Sequence, residues 1–451
     1  MFIVFVLGYG FIVFEHVNHI NKAAIALLLG SLLWAIYSLG AEGILSLGYS
    51  SSWKTFEGLG NSLKDVHEFI VEGELHKHLA ETSSILFFLI GAMTIVELVD
   101  KYQGFRIITT KIQSSSAIKL LWIISFLTFF MSALLDNLTT TIVILTVLRK
   151  LISQQKNRWI FASMVVVSAN AGGAWSPIGD VTTIMLWIGN QVTSMGIIKT
   201  IFIPSFINMV LCTFLFSLML KGQTVRPVLA EEENTEFTTR GEQLFMLIVG
   251  SLALISVPVF KTITHLPPYL GMLLGLAALW IMTDRYLRKR AYADKRKLTV
   301  MSVLTSIDMP TVLFFMGILT AVAALQSAGH LDLLANYLDE KVKNIYVINI
   351  IIGMVSSVVD NVPLVAASMG MYKIAGAHAV GYMSHFVQDG TFWSFLAYCA
   401  GTGGSILIIG SAAGVAAMGL ERIDFVWYLK KTSLIALAGY LAGALAFYIL
   451  F

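Results

Sequence analysis

Roughly ten apolar stretches, each close to the 20 or so residues that a bilayer-spanning helix requires, follow one another along this chain with short charged loops between them. Inside a membrane every backbone polar group must be satisfied internally, so such a chain has to fold as a bundle of helices. Composition agrees: 57% of the 451 residues are hydrophobic, 13% are charged, and the mean hydropathy of +0.79 is too high for the surface of a soluble domain. The longest polar stretches, 41–80, 221–242 and 284–299, leave no room for one. The apolar run at 2–14 precedes the first basic residue, Lys22, and therefore lacks the basic flank of a secretory signal; it reads as a retained short helix. A net charge of +3 does not point to nucleic acid, because in a membrane protein the location of Lys and Arg matters more than their sum. Cys212 and Cys399 lie in separate apolar segments and read as buried free thiols.

Crossings are expected at 2–15, 22–40, 82–100, 160–189, 196–220, 243–260, 267–284, 306–328, 385–420 and 429–451. Two further apolar segments do not fit this scheme. Residues 120–148 carry a single charge, Asp136, and 344–372 a single charge, Asp360. Each is either one long tilted helix or two short arms folded back on a tip; arms such as 120–131 and 138–148 would be about 16 to 18 Å long, too short to cross. Basic residues flank the first segment on both sides: Lys101, Arg106, Lys111 and Lys119 before it, Arg149, Lys150, Lys156 and Arg158 after it. Both ends therefore read as cytoplasmic, which favours re-entrant hairpins at about 118–149 and 344–372. With that choice 22 of the 30 basic residues fall inside, both termini fall outside, and the second hairpin enters from outside.

The halves repeat. SALLDN at 132–137 matches SSVVDN at 356–361, offset by 224; ANAGGAWSPIG at 169–179 matches AGTGGSILIIG at 400–410, offset by 231; SSILFFLIG at 83–91 resembles PTVLFFMG at 310–317. Each half holds five crossings and one hairpin, and an odd number of crossings turns the second half over. The expected architecture is an all-α polytopic membrane protein with two inverted-topology repeats, 1–220 and 243–451, joined by a cytoplasmic linker at 221–242. Each repeat has a re-entrant hairpin and a broken helix, at about 160–189 and 385–420. Transporters built this way bind substrate near mid-membrane, where helices are interrupted.

Ionisable side chains are costly in hydrocarbon and usually face a site or a pathway. Within 120–148, 159–198 and 344–372 there are three, Asp136, Asp180 and Asp360, and no Lys or Arg lies in the same segments. Ser132, Asp136, Asn137 and Thr139–Thr141 cluster at one tip, and Ser356, Asp360 and Asn361 at the other. A hard monovalent cation shedding its water needs several oxygen ligands of this kind, so Na⁺ is assigned to Asp136, Asn137, Asp360 and Asn361. Gly172, Gly173 and Pro177 are expected to break the first interrupted helix and expose carbonyls, and Gly403 and Gly404 the second, with close helix packing through small residues as the other reading. Ser411 stands where the first half has Asp180, so the halves differ chemically. Glu81 and Asp308, 227 apart, precede the related LFF segments and either support helix starts or belong to a proton pathway. His76, His78, His378 and His385, at segment boundaries, read as surface groups.

At SALLDNLTTT, SANAGGAWSPIGDVTT, SSVVDN and AYCAGTGGSILIIGSAAG the sequence resembles the NhaD-type sodium/proton antiporters of the ion transporter superfamily, which also holds dicarboxylate, citrate and arsenite transporters. The resemblance runs over most of the chain; residues 41–80 match no motif of it. It implies a scaffold domain, a transport domain with two hairpins, and exchange coupled to the proton gradient. The positions it carries over by motif are Ser132, Asp136, Asn137, Asn170, Asp180, Thr182, Thr183, Ser356, Asp360 and Asn361. The reading is a secondary transporter, not an enzyme, exchanging Na⁺ or Li⁺ for H⁺ by alternating access in a bacterial cytoplasmic membrane. Its partners are those ions and membrane lipid, without nucleic acid or cofactor, and a homodimer is compatible with it. The alternatives are an anion carrier of the same superfamily, for which basic or donor-rich tips are expected, and a channel or membrane enzyme.

Overall fold

The structure, a computed structural model, describes residues 1–13, 15, 20–58, 65–109, 116–221, 238–287 and 298–451. Most of the expected linker 221–242, most of the basic run 285–297, and Lys111 lie outside them.

The apolar stretches form helices α1 (Phe2–Val13), α2 (Lys22–Leu39), α3 (His76–Lys101), α4 (Ala117–Leu135), α5 (Asn137–Leu151), α6 (Gln155–Ala174), α7 (Val181–Ile188), α8 (Ser194–Met219), α9 (Arg240–Thr264), α10 (Pro268–Leu287), α11 (Met309–Ser327), α12 (Ile345–Val355), α13 (Asn361–Met371), α14 (Thr391–Gly403), α15 (Ala412–Glu421) and α16 (Ser433–Leu450). Among the described residues seven helices are long and apolar enough to cross a membrane. Local chemistry sets their starts. Asn21 caps α2 by accepting from the Ala23 amide at 2.8 Å, and Thr239 and Glu242 form a reciprocal capping box on α9.

Residues 41–80, which matched no motif, hold short helices at Ala41–Leu45 and Ser51–Gly58 and a π-helical stretch, Phe69–Leu75, that runs directly into α3. The α3 helix therefore begins well before the expected start at 82. Neither doubtful apolar segment is one long helix. The first is interrupted at Asp136 alone, whose φ of 76° turns the chain within one residue; the second is interrupted over 356–360. The first arm is thus the full 19-residue α4, longer than the expected 120–131 and one of the seven helices long enough to cross, so the expectation of arms too short to cross does not hold for it, while α12 and α13 have 11 residues each.

Two groups of helices pack internally, and each takes members from both halves of the chain. One contains α1, α2, α3, α9, α10 and α11; the other contains α4–α8 and α12–α16. Partners recur between halves: α4 packs on α6 as α12 does on α14, α5 on α15 as α13 on α7, and α3 on α10 as α11 on α2. The two groups touch mainly where α13 meets α11 and where α7 meets α3.

Candidate functional site

Both interrupted helices are held by the same device. In α6, a Cβ on Gly172 would lie 2.2 Å from the Phe129 carbonyl oxygen of α4; in α14, one on Gly403 would lie 2.0 Å from the Gly353 oxygen of α12. The pairs are related by the sequence offsets of 231 and 224. Without side chains there, the first arm of each tip lies directly against its broken helix. Ser132 then donates to the Ala169 carbonyl at 2.6 Å, and Ser356 to the Ala400 carbonyl at 2.9 Å. The glycines themselves follow the close-packing reading, and the breaks come just after them. Gly172, Gly173 and Gly403 are helical, Gly404 ends α14 at a φ of −58°, and none has positive φ; their role is close approach. The breaks themselves span 175–180, which includes Pro177, and 404–411.

Each break ends on an extended residue that caps a short half-helix. Asp180 heads α7, accepting from the Thr182 amide at 2.9 Å and the Thr182 hydroxyl at 2.8 Å, while Thr183 donates to the Asp180 carbonyl at 2.8 Å. Ser411 heads α15 and accepts from the Gly414 amide at 3.1 Å.

The two tips and two breaks converge on Asp180. Asn137, the first residue after the tip at Asp136, donates to Asp180 Oδ2 at 2.7 Å and lies 3.0 Å from Asn170 Oδ1. Asn361 approaches from the other tip, its Nδ2 3.5 Å from both Asp180 oxygens. Asn170 donates to the hydroxyls of Ser405 and Ser411, both at 2.9 Å. Asn137, Asn170, Asp180, Thr182, Asn361, Ser405 and Ser411 are all buried. Ser405 was not singled out from the sequence; its place in the glycine-rich break was the available signal.

Asp136 and Asp360 sit beside this cluster rather than within its hydrogen bonds. Asp136 caps α5, accepting from the Thr139 amide at 2.8 Å and hydroxyl at 2.9 Å. It lines a cavity of about 60 Å³ with Asn137, Thr139, Thr311 and apolar side chains of α3 and α11. Asp360 caps α13 more loosely, from the Val362 amide at 3.4 Å, and lines a second cavity, of about 50 Å³, with Tyr9, Glu15, Lys22 and Ser411. Here the helix packing supplies what the three apolar segments lack, a basic partner: Lys22 Nζ is 3.8 Å from Asp360 Oδ2.

Glu81 and Asp308 are not equivalent. Asp308 is exposed and caps α11 through Thr311, a residue that lines the Asp136 cavity. Glu81 lies inside α3, because the helix starts earlier than the matching segment, and it pairs with His78 at 3.3 Å. His78 is not the surface group its sequence position suggested: it is buried, packed beside Trp34 and 3.6 Å from buried Glu74.

The family model described as "Citrate transporter" matches residues 9–388. The chain is 44% identical to "Sodium/proton antiporter 1" of Arabidopsis thaliana over 99% of its own length and 71% of the relative, and 42% identical to "Sodium/proton antiporter 2" of the same plant over 99% and 98%. It is 30% identical to "Na(+)/H(+) antiporter NhaD" of Alkalimonas amylolytica, over 98% of this chain and 88% of that one.

Proposed function

The chain belongs to the citrate transporter family, and from that premise, with relatives named as sodium/proton antiporters matching nearly its whole length, we infer that it exchanges Na⁺ for H⁺ across a membrane. It is a multi-pass membrane transporter, not an enzyme. The observation that carries the cation reading is the convergence of Asn137, Asn170 and Asn361 with Asp180 at the meeting point of two tips and two broken helices. The amides and hydroxyl that meet at Asp180 now donate to it, and the same Asn and Thr side chains carry oxygens that, with the carboxylate, suit a small hard cation once those donors turn away. Carriage of a citrate-like anion would call for basic or donor-rich tips; the donors here, Asn137, Asn361 and Thr182, are directed at the Asp180 carboxylate, which an anion would have to replace, and Lys22, which lines the Asp360 cavity, is engaged with Asp360.

In this reading Na⁺ or Li⁺ and protons compete for one site drawn from Ser132, Asp136, Asn137, Asn170, Asp180, Thr182, Thr183, Ser356, Asp360 and Asn361. Either ligand lets the site be presented to the other side, and an empty site with uncompensated carboxylates does not move; competition alone then gives exchange. Exposure to alternate sides comes from movement of the group containing α4–α8 and α12–α16 against the group containing α1–α3 and α9–α11. The tips are re-entrant hairpins of two inverted repeats, with both termini outside, in a bacterial cytoplasmic membrane. The recurrence of the Ser132–Ala169 and Gly172–Phe129 contacts at Ser356–Ala400 and Gly403–Gly353 supports the repeat.

The test is purified protein in liposomes enclosing a pH-sensitive dye. Addition of Na⁺ or Li⁺ is expected to drive proton movement, and choline, succinate or citrate is not. A response to the carboxylate substrates alone overturns the cation reading in favour of an anion carrier.

A further inference from the structure

Among the three carboxylates near the tips, Asp360 is the least committed. Asp136 and Asp180 each accept an amide and a hydroxyl within 2.9 Å, whereas Asp360 has one long amide contact, at 3.4 Å to the Val362 nitrogen. Its outer oxygen instead faces Lys22, at 3.8 Å. Lys22 is the first residue of α2, in the other packing group. Its backbone amide is anchored to Glu15 at 3.0 Å, and its ammonium lies 4.5 Å from the centre of the Phe314 ring of α11. Both side chains of the pair are partly open to the cavity of about 50 Å³, which has room for a few water molecules. Ser411 also lines that cavity and accepts from Asn170, so the space borders the network around Asp180.

We propose that Lys22 is a tethered counter-cation, which occupies Asp360 while no transported cation is bound there and pins the tip of α13 to α2. The proposal rests on the Na⁺/H⁺ exchange reading and adds a residue from outside the tips to it. An ammonium 3.8 Å from a carboxylate on a partly hydrated boundary binds weakly enough to be displaced. An arriving Na⁺ that takes an Asp360 oxygen removes the only ion pair seen between the two packing groups among the described residues. Cation binding thereby frees the tip to move, and in the empty state Lys22 holds the tip while Asp136 and Asp180 stay uncompensated.

The test compares wild type, Lys22→Gln and Lys22→Arg in the same dye-loaded liposomes, reading the Na⁺ concentration that half-saturates proton movement. Removing the competitor is expected to lower that KM about two- to fivefold, the range set by a weak, partly exposed ion pair. Arginine, whose planar fork grips a carboxylate with two donors, is expected to raise it. A residue that merely supports the fold does not make KM fall. An unchanged or raised KM in Lys22→Gln overturns the proposal; should that variant fail to insert, an unchanged KM in Lys22→Arg does so. If wild type itself moves no protons on Na⁺ addition, it is the exchange reading that fails, and that failure is visible before any variant is compared.

Discussion

Asn137 Nδ2 lies 2.7 Å from Asp180 Oδ2, so the residue that follows the first tip is joined to the residue that ends the first helix break, 43 positions later. Asn361 reaches the same carboxylate from the second tip, more loosely. Asp180 is therefore the point at which any movement of either tip is felt. Removing either amide takes a donor from the carboxylate and an oxygen from the cation. Asn137→Ala and Asn361→Ala are accordingly expected to raise the Na⁺ KM more than they change the maximal rate, with Asn137→Ala the larger effect because its contact is the shorter. Initial rates of proton movement across a Na⁺ series check this; equal loss of maximal rate with no change in KM counts against it.

The glycine contacts give a paired prediction about stability. A methyl group on Gly172 or Gly403 would meet a backbone carbonyl of the neighbouring helix at 2.2 or 2.0 Å, and backbone cannot swing aside as a side chain can. Overpacking of that kind costs about 1 to 3 kcal/mol or more. Gly172→Ala and Gly403→Ala are each expected to lower the Tm of detergent-solubilised protein, whereas Gly419→Ala, which meets nothing within 4 Å, is not. Wild-type melting in both buried-glycine variants contradicts the packing described here.

A second stability prediction comes from the end of α15. Buried Glu421 accepts from Arg149 Nε at 2.7 Å and Arg158 Nε at 2.9 Å, and its own carbonyl accepts from the Trp159 indole at 3.0 Å. This ties the second arm of the first tip to the second broken helix. Breaking a buried pair by removing one partner costs about 3 to 5 kcal/mol; the exposure of Arg149 puts the expected loss at the lower end. Glu421→Gln is predicted to lower Tm while leaving the Na⁺ KM of the surviving protein unchanged, because Glu421 takes no part in the hydrogen bonds around Asp180.

Orientation in the membrane is tested by labelling. Cysteines introduced one at a time at Lys119 and Arg149 are expected to react from the cytoplasmic side, and those at Lys341 and Lys373 from the outer side. Labelling of either pair from opposite faces removes the re-entrant hairpin, and with it the inverted repeat.

What the sequence made legible was mostly local or repeated. The interruptions at the two tips and the two breaks could be read because the same letters recur at fixed offsets; the contacts Ser132–Ala169 and Ser356–Ala400, which follow those offsets, came only with the structure. Spans could be read because an apolar run of about 20 residues has few other fates. The rest depends on which helix lies beside which. Lys22 precedes its partner Asp360 by 338 positions, and Arg158 precedes Glu421 by 263; no spacing rule connects such residues. Glu81 shows the opposite error, since matching letters placed it level with Asp308, but the π-helical stretch at Phe69–Leu75 carries α3 past that point and leaves Asp308 alone as a cap. At the glycines both readings are met: the helices break just after them, at 175–180 and 404–411, and Gly172 and Gly403 also allow close approach, which only the neighbouring carbonyls reveal.

The central claim is that a cation and protons share a site built around the tips and Asp180. It is tested most directly by the protons released when Na⁺ is added to purified, weakly buffered protein. Wild type is expected to release protons in a saturable way with Na⁺ and not with choline. Asp180→Asn keeps the size of the side chain while removing its charge, and a neutral amide is cheaper to bury than a carboxylate. With folding verified by its melting curve, it is predicted to release none, and Asp136→Asn and Asp360→Asn are predicted to bring liposome exchange to background. Proton release of wild-type amplitude and Na⁺ dependence from folded Asp180→Asn would contradict the account.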